Sequence, residues 1–135
     1  MTDAMPADEA KMLVAVIATG GTIASMRDET GAAKPSLSGA TLLTGLSAQG
    51  VHVKPIELMA KDSSSLTIAD MQTISNAVAA EMLDPAVCGV VVLHGTDAME
   101  ETSLLVHLQH RLKKPVIFTG AQFTADHPEA DGPDN

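Results

Sequence analysis

Leu13-Val14-Ala15-Val16-Ile17-Ala18-Thr19-Gly20-Gly21-Thr22-Ile23-Ala24 is the stretch on which the reading of this chain turns. Its first six residues are continuously apolar, the pattern of a parallel strand buried on both faces. Gly20-Gly21 then lets the backbone turn sharply and approach whatever lies above the strand end. Thr22 follows at once. In open α/β sheets ligands bind beyond the carboxyl ends of strands, so its hydroxyl stands where chemistry is expected. On this stretch alone, a plain strand-to-helix turn is the favoured account.

A second stretch repeats the arrangement. Val90-Val91-Val92-Leu93 reads as another buried strand, and His94-Gly95-Thr96-Asp97-Ala98-Met99-Glu100-Glu101-Thr102 follows it. Again a glycine turns the chain at a strand end and a threonine appears, now beside a carboxylate.

The intervening chain supplies the rest of an α/β alternation. The polar segment from Ser25 to Pro35 reads as a loop. Ser38 caps a short helix over Gly39 to Leu46, which Gly50 ends. Val51 to Leu58 alternates as a half-exposed strand does, and Pro55 excludes a fully paired central position. Thr67 and Asp70 have capping-box spacing, and Ile68, Met71, Ile74, Val78 and Met82 step along one helix face until Asp84-Pro85. Beyond Leu93, Asp97 and Glu100 are spaced to cap a second helix with Leu104, Leu105, Leu108 and Leu112 as its apolar face. Lys113-Lys114-Pro115 closes it. Val116-Ile117-Phe118 is a fourth strand, ending in Thr119-Gly120-Ala121. The order implies an α/β fold with a doubly wound, mostly parallel sheet of flavodoxin or Rossmann type.

Together, Thr19-Gly20-Gly21-Thr22-Ile23-Ala24 and His94 to Thr102 resemble the motifs of the bacterial L-asparaginase family of amidohydrolases. Lys114 to Gln122 and Ala130 to Asn135 resemble the sequences that follow there, so the resemblance runs from Leu13 to Asn135. It implies an N-terminal asparaginase-like domain over residues 12–135 that hydrolyses L-asparagine, and L-glutamine weakly, through an acyl-enzyme. Carried over by motif, Thr22 is the nucleophile, and Thr96 faces it and moves protons with a lysine. Asp97 holds the substrate α-ammonium group; its alternative is a helix N-cap. Ser63 binds the α-carboxylate with Ser64 beside it, where turn chemistry is the alternative. Ala121 offers its backbone carbonyl to the substrate amide. The segment after Ser25 acts as a mobile lid.

Two departures stand out. The family's lid tyrosine has no counterpart, since the chain contains no tyrosine. The lysine partner of Thr96 and the C-terminal domain fall beyond Asn135, and the sequence reads as cut within its domain. The isolated chain is therefore expected to be inactive, and a homo-oligomer, dimer or tetramer, is expected of the complete protein. A transfer-RNA-dependent amidotransferase subunit shares this domain but carries a further domain ahead of it; the eleven residues before the first strand argue against that reading. A non-catalytic small-ligand module is the third possibility.

Composition narrows the remaining classes. Eight basic against seventeen acidic residues give a formal net charge of −9, with two phenylalanines and no tryptophan. A nucleic-acid surface, which needs basic stripes and stacking platforms, is not expected. No cofactor is implied. The glycine turn lacks the Gly-Lys-Ser/Thr ending of a phosphate loop and the spacing of a dinucleotide fingerprint. His107 and His110 lack a third ligand at metal spacing and read as solvated, while His94 reads as a supporting residue at a strand end. The lone Cys88 reads as an inert core thiol. Residues 1–11 carry no secretory pattern and read as a frayed tail, no run is long enough to span a bilayer, and the default location is cytoplasmic.

Overall fold

The computed structural model describes residues 12–44 and 50–135. The expected frayed tail and the end of the first expected helix lie outside them. The elements are β1 (Met12–Gly20), β2 (Ser25–Arg27), β3 (Ala33–Pro35), α1 (Gly39–Leu42), β4 (Val51–Lys61), α2 (Ile68–Leu83), β5 (Val87–Leu93), α3 (Met99–Gln109) and β6 (Val116–Thr119). The main sheet is parallel, in the order β4-β1-β5-β6. The chain thus starts in the middle, steps to one side and crosses back. This places the topological switch point between β1 and β5, where the two threonine-bearing turns emerge.

Burial on both faces explains the apolar runs. Ala15, Ile17, Val90 and Val92 point to one face and pack with Ile74, Val78 and Val106 from α2 and α3. Val16 and Leu93 point to the other, against Ile23, Ala24 and Ala121, with Leu42 of α1 and Leu43, which follows it, beside them. Side chains of successive strand residues alternate between faces, so a strand covered on both sides must be apolar throughout. Pro55 sits on β4, which pairs with β1 alone, as its missing N–H requires. The Thr67–Asp70 capping box forms in full at the start of α2. Lys61 and the Thr67 N–H and hydroxyl all face Asp70 and bring its carboxyl down to about 2.

Several expectations are corrected. The segment from Ser25 to Pro35 is no irregular loop; β2 and β3 form an antiparallel hairpin. Asp28 organises its tip, accepting from Thr30 N at 2.8 Å and Ala32 N at 3.1 Å, with Lys34 Nζ at 2.7 Å. The Lys34 ammonium holds that carboxyl well below the usual carboxylate range, and the Thr30 and Ala32 donors add to it. α1 ends at Leu42, so Gly50 does not terminate it directly. Ile68 is 75% exposed and belongs to the solvent side of α2.

On α3 the inward residues are Thr102 and Val106, whereas Leu104 and Leu108 are 55% and 73% exposed. A buried threonine carries no apolar signal, and the leucines drew the face away from it. Cys88 is exposed rather than in the core. β1 advances one residue, from Leu13 to Val14, while β5 advances from Val87 to Gly89. Cys88 is the extra residue of that irregularity and is turned out of the ladder.

Candidate active site

Three turns meet at the carboxyl ends of β1, β4 and β5. Gly21 has φ 79°, and a Cβ there would lie 2.5 Å from Gly95 Cα. A Cβ on Gly95 would in turn lie 2.7 Å from Ser63 Cβ. Glycine is required at both positions because backbone packs directly on its neighbour, and at Gly21 also by the left-handed φ. The turn is tied from below by Gly21 N donating to Lys61 O at 3.0 Å, and Thr19 Oγ1 donates to Leu93 O at 2.7 Å across the switch point.

Thr22 is half-buried and opens a short 3₁₀ turn, Thr22–Ala24. Ser25 Oγ donates to Gly21 O at 2.8 Å and tightens it. Thr96 and Asp97 are exposed on the neighbouring turn. Among the described residues, no protein group hydrogen-bonds the hydroxyls of Thr22 or Thr96 or the Asp97 carboxylate. Asp97 does not cap: α3 begins at Met99 with Ala98 as its N-cap and no side-chain hydrogen bond there. Instead the Asp97 backbone N–H donates to Ser63 Oγ at 3.0 Å. Ser63 is buried and Ser64 is exposed, both on the 3₁₀ turn Ser63–Ser65. Because Ser63 Oγ accepts from Asp97, its own O–H remains free to donate to a ligand. Ala121 is buried at the end of β6, and a Cβ on the adjacent Gly120 would meet Thr96 Cγ2 at 3.4 Å. The fold therefore collects Thr22, Ser63, Thr96, Asp97 and Ala121 at one end of the sheet, with Ser64 at the margin.

Two further residues support these turns: His94, as its place at a strand end implied, and Asp131, which the sequence reading did not single out. His94 is fully buried, with Nδ1 2.6 Å from Gly95 O and Nε2 3.0 Å from Thr102 Oγ1. A carbonyl only accepts, so Nδ1 carries the proton. Burial lowers the imidazole pKa and so favours the neutral ring, while the Gly95 carbonyl opposes this in part. The Thr102 hydroxyl donates to Ala98 O at 2.9 Å, and its oxygen is the atom that faces Nε2. The second support is Asp131, whose carboxylate accepts from Gln122 N at 2.9 Å and Phe123 N at 3.0 Å. These two N–H groups pull its pKa below the ordinary carboxylate value. The Asp-Gly-Pro sequence around it was the available signal.

No group of three or more His, Cys, Asp or Glu side chains able to hold a metal occurs among the described residues. His107 is exposed, and His110 Nε2 lies 2.8 Å from Ser75 Oγ. No helix among them is long and apolar enough to cross a membrane.

The sequence family described as asparaginase, N-terminal, matches residues 13–135. A glutamyl-tRNA(Gln) amidotransferase subunit from Thermoplasma acidophilum is 44% identical over 128 residues, covering 90% of this chain and 30% of the relative. Probable L-asparaginase 1 of Schizosaccharomyces pombe is 32% identical over 128 residues, covering 90% and 36%. The thermostable L-asparaginase from Thermococcus kodakarensis superposes with a TM-score of 0.81 at 31% identity, over 92% of this chain and 38% of that one. The chain thus spans about a third of the length of these curated relatives. With its parallel sheet and paired threonine turns, this chain belongs to the asparaginase family, of which it carries the N-terminal domain.

Proposed function

We propose that this domain serves hydrolysis of the side-chain amide of L-asparagine to L-aspartate and ammonia, with Thr22 as nucleophile. The observation that carries the reading is the convergence of the Thr22 and Thr96 turns, packed glycine on glycine at the switch point, with both hydroxyls uncommitted. Thr22 Oγ bonds to the amide carbon while its proton passes toward Thr96 and the base paired with it. Backbone N–H groups of the glycine turns stabilise the oxyanion; one such donor is typically worth ~2.7–4 kcal/mol. The C–N bond then breaks, the nitrogen takes the proton and leaves as ammonia, and an aspartyl ester remains on Thr22. Water cleaves the ester and returns the proton to Thr22 Oγ. Asp97 pairs with the substrate α-ammonium, and the free Ser63 O–H donates to its α-carboxylate, with Ser64 adjacent.

The β2–β3 hairpin completes the proposal as a cover over Thr22. Its base is held by Ser36 N and Leu37 N on Ala24 O at 2.9 Å each, while residues 29–31 at the tip are exposed. Amide exchange at the tip should slow when L-aspartate is added; unchanged exchange counts against a closing role. The resemblance pairs Thr96 with a lysine outside these residues and implies a dimer or tetramer. On this reading, the 135-residue chain alone releases ammonia at least about 10²-fold more slowly than the full-length protein, the lower bound of general-base assistance.

The 44% identity to a glutamyl-tRNA(Gln) amidotransferase subunit favours a second reading, in which ammonia freed by the same site goes to a transfer-RNA-linked acceptor. Ammonia release from L-asparagine and L-glutamine by the purified full-length protein separates the two. Release from asparagine without a partner supports the asparaginase reading. Release only when glutamyl-tRNA is present supports the second. No release under either condition, with tight binding of phosphate or a nucleotide, leaves a small-ligand module.

A further inference from the structure

The segment Ala130 to Asn135 is tied to the site turns more closely than a connecting loop requires. The Asp131 carboxylate receives two successive backbone donors, Gln122 N and Phe123 N. Asn135 Nδ2 donates to Gly120 O at 2.8 Å and reaches Asp131 Oδ2 at 3.3 Å. Every residue of the turn except Ala121 is therefore held through its backbone by this pair. The Ala121 carbonyl receives no hydrogen bond among the described residues and is left for a ligand. Gly132, between the two clamps, presses on the nucleophile turn: a Cβ there would lie 2.9 Å from Ile23 Cγ1 and 3.7 Å from Ala121 Cβ. Ile23 is the residue after Thr22. One short segment thus joins the turn after β6 to the turn after β1.

We infer that Asp131 and Asn135 are positioning residues that aim the Ala121 carbonyl at the leaving amide nitrogen and hold it in register with Thr22. The inference rests on the amide-hydrolysis reading above for what the carbonyl meets. Two charge-assisted backbone hydrogen bonds set the turn, so neutralising the carboxylate lets the carbonyl swing. Asp131→Asn keeps the size of the side chain but points an N–H₂ at one of two backbone donors. Asn135→Ala removes the Gly120 tether and the 3.3 Å contact to Asp131 but leaves both backbone donors on the carboxylate, and is the milder change.

The test compares L-asparagine with L-aspartate β-methyl ester in the full-length protein. The ester has the same reacting carbon but no N–H for the Ala121 carbonyl. Asparagine hydrolysis should fall about 10²-fold in Asp131→Asn, the size expected for a misplacement of about 1 Å. Ester hydrolysis should fall at least several-fold less, and Asn135→Ala should shift the amide-to-ester ratio in the same direction. An equal loss on both substrates in both variants overturns the inference and leaves the function standing. If the wild-type protein hydrolyses neither substrate, the function falls. The clamp is then judged by amide hydrogen exchange at Gln122 and Phe123, expected to be at least about tenfold faster in Asp131→Asn. Unchanged exchange overturns it.

Discussion

Gly21 and Gly95 leave no space for a side-chain carbon between them, since a Cβ on Gly21 would sit 2.5 Å from Gly95 Cα. Each immediately precedes one of the two site threonines. The distance between the nucleophile turn and its partner is thereby set by bare backbone, with no side chain whose rotamer could change it.

Gly21→Ala should therefore damage activity more than folding. At φ 79° and ψ −179° Gly21 occupies a region essentially reserved for glycine, costing about 1–3 kcal/mol for an L side chain, and the new methyl must push the two turns apart. Ammonia release should drop at least about 10²-fold while the far-ultraviolet spectrum of the full-length protein keeps its native form. Activity within a few-fold of wild type would mean that the two turns do not act as a unit.

His94 gives a pH dependence of definite sign. Its folded pKa lies below the ordinary value because the ring is buried, so the unfolded state binds the proton more tightly. Stability is intact above about pH 6.5, where unfolded histidine is neutral. It falls as pH drops from there toward the lowered folded value. His94→Asn keeps an N–H donor near Gly95 O and cannot titrate. Its urea midpoint should lose this part of the slope below about pH 6.5. Identical slopes for the two proteins would remove His94 as the buried neutral group.

On α3, burial replaces leucine spacing as the guide to the packed face. Val106 is 1% exposed and Leu108 is 73% exposed. Val106→Ala should destabilise by about 1.5–3 kcal/mol, and Leu108→Ala by less than about 0.5 kcal/mol. Chemical denaturation of both variants measures the difference, and the reverse ranking would contradict the orientation of the helix.

The strands were legible because both faces of the sheet are covered. Val14 to Ala18 and Val90 to Leu93 had to be apolar at every position, and little else produces such runs. Pro55 marked an edge through its missing donor, and Thr67–Asp70 marked a helix start through reciprocal hydrogen bonds. Elements whose order rests on side-chain hydrogen bonds were not legible in advance. The β2–β3 hairpin depends on Asp28 gathering the donors of Thr30 and Ala32, within a sequence that otherwise reads as polar loop. The inward face of α3 depends on Thr102 satisfying its hydroxyl against Ala98 and His94. At the site, motif spacing pointed to Thr22, Thr96, Ser63, Asp97 and Ala121, and the fold brings them together. It carried no hint that Ser63 binds the Asp97 N–H or that Asp131 and Asn135 grip the turn beside Ala121, because those partners meet only after folding.

The central claim is that Thr22 becomes covalently acylated by the substrate. Acid-quenching the full-length protein within its first turnovers of L-asparagine, followed by peptide mass mapping, tests this directly. The account predicts an aspartyl ester on the peptide bearing Thr22, absent in Thr22→Ala, whose ammonia release falls by more than about 10³-fold. An adduct on another residue, or a Thr22→Ala variant that still turns over asparagine, would contradict it.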